Sequence, residues 1–227
     1  MNALHCRSAP SSKELPLVKL RIAAMLALTL LAGCARRGEV VEGGVYAVRS
    51  ACPIPGVPAG TGDITLFNPP TSTDALAIDV TAAISDVRAT CQDVGNDVVS
   101  TATFTITALR RDAGPARQVV LPWFAVALQG GGRIAAKRVG SAVLNFPAGG
   151  QKAWTRVQGI VRVNRAAATL PDNVKKILTR PRRSGEAEAA VDPLSDPAIR
   201  TAVANATFEH LVGFQLTQDQ IKYNATR

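Results

Sequence analysis

From Leu76 onward apolar and polar residues alternate with a period of two, the spacing of half-buried strands. Ile78, Val80, Ala82 and Ile84 alternate with Asp79, Thr81, Ala83 and Ser85. Near Asp86 the apolar phase switches to Val87 and Ala89, as a β-bulge does. Gly95-Asn96-Asp97 predicts a turn, and residues 98–110 alternate again, with threonine on the wet face. Residues 119–128 are almost continuously apolar, a central strand whose Pro122 places a bulge or an edge near its start. Gly130-Gly131-Gly132 predicts a hairpin, residues 133–144 a returning strand, and residues 154–163 another. Short strands are expected at 45–49 and 63–67, the rest of 52–70 being a proline-rich ordered loop. About seven strands therefore precede residue 164, the pattern of a β-sandwich.

The last third differs. Residues 171–178 open with Pro and Asp and end in Lys175, Lys176 and Leu178, a short helix. Residues 180–193 read as a charged loop, and Ser195 as the cap of a helix reaching Asn205, with Pro197 in its first turn. Phe208, His210, Val212, Phe214 and Leu216 then alternate as a final strand. Residues 45–227 are expected to form one mainly β domain. It is an antiparallel, immunoglobulin-like sandwich of seven to eight strands with a helix–loop–helix insertion at about 171–205.

The N-terminus is set apart from this pattern. Lys13, Lys19 and Arg21 precede ten residues, 22–31, in which Thr29 is the sole polar one. That run is too short to span a bilayer as a helix and suits the core of an export signal. It ends in Leu31-Ala32-Gly33-Cys34, which resembles the lipobox of bacterial lipoprotein precursors. The resemblance implies removal of residues 1–33, acylation of Cys34, and a tether at 34–44 reaching ~35 Å at most. Acyl chains at ~0.8 kcal/mol per buried CH₂ would make the attachment permanent. Residue 35 is Ala rather than Asp, which in that class implies sorting to the outer membrane, on its periplasmic face. The alternatives are an ordinary secretory signal with an accidental cysteine, or an uncleaved anchor. The run from Phe104 through Gly149 also resembles immunoglobulin-like or fibronectin-like modules of exported proteins, through its Gly hairpin and the Phe146-Pro147-Ala148-Gly149 turn. That resemblance implies a fold and no activity.

Composition narrows the function. The 227 residues are 47% hydrophobic and 19% charged with a formal charge of +9, which excludes disorder throughout. A basic chain often meets nucleic acid, but an export signal makes lipid or lipopolysaccharide phosphates the better anionic partners. With Cys6 lost and Cys34 acylated, Cys52 and Cys91 are left in an oxidising compartment and are expected to be bridged.

No catalytic set, metal site or cofactor motif is expected. His210 is the sole histidine outside the signal, and its place on the apolar phase suits a hydrogen-bonded core or rim residue. There is no Gly-x-Ser-x-Gly elbow, phosphate loop or calcium loop. Trp123 and Trp154 are expected in the core or at an interface. Lys175, Lys176, Arg180, Arg182 and Arg183 put five cations within nine positions, either a solvated loop or a contact for an anionic surface or acidic partner. The expected function is a non-catalytic binding or structural component of a cell-envelope assembly, held to membrane lipid through Cys34 and contacting an envelope protein. The alternative is a carrier of lipid, lipopolysaccharide or glycan; a hydrolase is the least supported.

Overall fold

The computed structural model describes residues 50–180 and 191–226. The expected export signal and tether, Cys34, the strand expected at 45–49, Arg182 and Arg183 lie outside the described residues. The elements are β1 (Ile54–Gly56), β2 (Asp63–Phe67), β3 (Ile78–Val94), β4 (Asp97–Arg110), β5 (Arg117–Gln129), β6 (Arg133–Phe146), β7 (Lys152–Asn164), α1 (Asp172–Thr179), α2 (Pro197–Ala206), β8 (Phe208–Phe214) and α3 (Gln218–Thr226).

Two four-stranded sheets face each other, one in the order β1-β8-β5-β6 and the other β2-β3-β4-β7. All pairings are antiparallel except β1 with β8. The alternation seen in the sequence decides which side chains meet between them. Ala102, Phe104, Ile106 and Ala108 from β4 face Leu121, Ala125 and Ala127 from β5, with Val212 and Phe214 from β8, all fully buried. Trp123 packs edge-to-face on Phe104, centroids 5.5 Å apart. The sheets approach closely at Gly159 of β7, where a Cβ would lie 2.8 Å from Ala125 Cβ. A glycine is required there for lack of space, not for backbone conformation.

The phase switch in β3 is a bulge: the register shifts between Ser85 and Arg88, and Asp86 has φ 53°. In β5, Pro122 pairs with Ser141 of β6, whereas pairing with β8 starts one residue later, at Trp123. The stretch before Trp123 is thus a local edge, because proline has no N–H to offer β8. The carbonyl of Pro122 still accepts from Gln215 N.

Arg110 closes the end of β4. It is 5% exposed and has no carboxylate partner among the described residues; its guanidinium donates to the carbonyls of Gly114, Pro115, Pro147 and Gly150, at 2.7–3.0 Å. It also lies 5.4 Å from the Phe146 ring centroid. One side chain therefore joins the β4–β5 turn to the β6–β7 turn.

Three local expectations need correction. Ser195 belongs to a 3₁₀ turn, and the cap of α2 is Asp196, whose carboxylate accepts from Ala198 N. Pro197 is the first helical residue, which makes the residue before it the cap. Residues 54–56, read as loop, form β1. The chain also ends in α3 rather than in the last strand. A reciprocal pair starts that helix: Thr217 Oγ1 accepts from Gln220 N, and Gln220 Oε1 accepts from Thr217 N. Helices α1 and α2 bury Val174 against Ile199 and Val203, a small cluster separate from the main core.

Candidate functional site

Cys52 and Cys91 are bridged, with Cα atoms 5.7 Å apart. Cys91 lies on β3 of one sheet, and Cys52 enters β1 of the other, so the bond ties the sheets together along one side. Short β1 and α3 close the same side. Tyr223 of α3 meets Phe67 of β2 edge-to-face at 5.1 Å, and Asn224 donates to the carbonyls of Gly60 and Asp63. These contacts cover the β2 edge.

His210 is wholly buried on β8 and shares a 2.9 Å hydrogen bond through Nδ1 with the equally buried Ser100 Oγ of β4. Among the described residues its Nε2 has no hydrogen-bond partner, and neither does Trp123 Nε1. Burial lowers the His210 pKa to about 4. Between pH 6.5 and 4 the unfolded chain then binds the proton and the folded chain does not. Stability is therefore whole above pH 6.5 and falls as the pH drops towards 4, by roughly 3 kcal/mol in all. Urea midpoints at pH 7.5 and pH 4.5 should differ accordingly, and His210→Gln should flatten that slope. Neither Ser100 nor His210 reaches solvent, so this pair is a core polar contact and no substrate can touch it.

The outer faces differ from the core and from each other. On the β5–β6 hairpin, Val120 and Val143 pair directly across the strands, as do Phe124 and Val139, then Leu128 and Ile134. Lys137 interrupts this stripe and stands 5.5 Å from the Phe124 ring centroid. Ile134 and Val139 are 62% and 61% exposed. Trp154, expected in the core or at an interface, is exposed on β7 beside Thr107, whereas Trp123 is partly buried against the core.

On the opposite side of the sandwich β6 and β7 lie beside each other without a ladder between them. Among the described residues β6 pairs only with β5, and β7 only with β4, so two long edges lie there together. Both edges are basic. No Asp or Glu occurs between Asp112 and Asp172, a run that carries eight cations. Arg117 forms an ion pair with Asp79, and Arg165 with Asp93. The other six, Arg133, Lys137 and Arg138 on β6 with Lys152, Arg156 and Arg162 on β7, form no ion pair among the described residues. Of the expected cluster, Lys175, Lys176 and Arg180 are exposed on and after α1. The larger basic surface is the side of β6 and β7.

A groove of about 1010 Å³ runs between α3, β2 and the loop before β3, lined among others by Thr65, Phe67, Asp79, Asp219, Gln220 and Tyr223. Arg117 donates two hydrogen bonds to Asp79, at 2.7 and 2.5 Å, and holds its carboxyl below the usual range. Among the described residues, no helix is long and apolar enough to cross a membrane.

No family model and no curated protein matches the chain. A solved structure to which it is similar is that of a DUF1425 family member from Shewanella sp. pv-4, at 15% identity over 47% of this chain and 82% of that one. The TM-score of 0.24 carries no argument about fold or function.

Proposed function

We propose that the chain is a non-catalytic docking module of the cell envelope, held to the outer membrane by lipid on Cys34 and binding another envelope protein. The observation that carries this reading is the apolar stripe on the β5–β6 hairpin, with Ile134 and Val139 more than half exposed on a regular sheet. Exposed apolar side chains grouped on one regular face, rather than scattered singly, are what an interaction surface leaves to water. The side chains packed between the sheets support a module that presents a surface over a carrier that encloses a ligand there. Burial of Ser100 and His210 supports the absence of hydrolase chemistry.

The test is photo-cross-linking in intact cells from position 139, with position 101 on the outer face of β4 as control. Position 139 should give a discrete protein adduct and position 101 none. Adducts of equal yield at both, or lipid adducts alone, would contradict the reading. The lipid anchor has its own check: the intact mass of mature chain should include acyl groups on Cys34, and Cys34→Ala should leave unprocessed precursor.

A second reading, glycan binding, is favoured by the groove at α3, where an aromatic pair adjoins carboxylates and hydroxyls. Calorimetry with soluble peptidoglycan fragments should then show binding that Tyr223→Ala removes.

A further inference from the structure

We propose that the first half of β6, residues 133–140, is an acceptor strand for an extended acidic segment of the partner protein; this rests on the docking reading above. Three observations converge on it. First, none of these eight residues is buried, although the second half of the same strand buries Ala142, Leu144 and Phe146. Ala136 still packs on the core and Gly140 lies against Trp123, but among the described residues the segment forms no ladder on the side away from β5, over ~26 Å. Its outer row of N–H and C=O groups is the template on which another strand adds.

Second, charge selects the occupant. Arg133, Lys137 and Arg138 lie on this segment, and Lys152, Arg156 and Arg162 on the neighbouring edge, with no carboxylate on either strand. Antiparallel addition of a second copy of β6 would set cations against cations, which destabilises a sheet. An acidic strand would pair with them. Third, Ile134 and Val139 stand on the outer face, so the incoming strand needs apolar residues at alternate positions. A bilayer surface would answer the charges but offers no strand to the open backbone edge. The partner segment is therefore one in which Glu or Asp alternates with Val, Ile or Leu.

The probe is a fluorescein-labelled ten-residue peptide of alternating Glu and Val, measured by anisotropy with the full chain in detergent. It should bind saturably, at least about tenfold more tightly than its Lys–Val counterpart, and weaken with added salt as screening shortens. N-methylation of alternate backbone amides keeps the charges and removes the ladder donors; it should weaken binding about tenfold or more. The double variant Lys137→Glu, Arg138→Glu should do the same with an unchanged melting temperature, both sites being exposed. Equal binding of the N-methylated peptide would overturn strand addition. So would absence of peptide binding, or pelleting with phosphatidylglycerol vesicles that this double variant abolishes while the peptide does not bind. A protein adduct from position 139 together with any of these results leaves docking intact and removes only the acidic strand.

Discussion

Arg110→Ala should lower the unfolding free energy by about 3–5 kcal/mol, the largest loss expected of any single substitution here. A buried guanidinium with no carboxylate beside it is costly unless its N–H groups find acceptors. Arg110 finds four carbonyls, belonging to two different turns. Hydrogen bonds to a charged donor contribute roughly 1.5–3 kcal/mol each, but four on one group do not add. Arg110→Lys should recover little, because one ammonium cannot reach all four acceptors from one position. Urea denaturation reads this directly, and a loss under about 1 kcal/mol for Arg110→Ala would refute the role given to it. The loss should leave the β3–β4 hairpin least affected, since its turn at Gly95 lies at the far end of the sheet.

Removing the Cys52–Cys91 bond has the second largest expected effect, about 2–4 kcal/mol. The two cysteines are 39 residues apart, so the bond restrains a long segment of the unfolded chain. In the folded chain it also holds β1 against β8 and anchors the segment that reaches Thr61, whose carbonyl accepts from Phe214 N. Cys52→Ser with Cys91→Ser should lower the melting temperature by ~5–10 °C; reductant should do the same to wild type and nothing further to the variant. Proteolysis should then begin within residues 52–62. A reductant-insensitive melting temperature in the wild type would show that the bond contributes nothing.

Alternation made most of the sheet legible. Residues 63–67 match β2, and the strands expected at 98–110 and 154–163 differ from β4 and β7 by a residue or two at their ends. Even the bulge at Asp86 was visible, because a side-chain period of two turns one extra residue into a change of phase. Strand β1 was hidden because three residues around Pro55 carry no period. Helix α3 was hidden by its weak apolar face, although Thr217-Gln218-Asp219-Gln220 has the spacing of a capping box. The cap of α2 was misplaced by one because Ser195 and Asp196 are both good caps and only Pro197 orders them.

The candidate surface was half legible. The acid-free run from 113 to 171 stands in the sequence, but its cations are spread too evenly to form a cluster, unlike Lys175 to Arg183. Which strands are edges depends on pairings far apart in the chain, such as β8 with β5, and no local pattern reports them. No local pattern reports the burial of Arg110 either, because its four acceptors lie up to forty residues away.

The central claim is that the β5–β6 hairpin is covered by a protein in the envelope. Amide hydrogen exchange tests it most directly, on the chain in native outer membranes and on the purified chain in liposomes of the extracted lipids. The account predicts slowed exchange at residues 133–140 in native membranes only, with β4 unchanged. Identical exchange of residues 133–140 in the two preparations would contradict it.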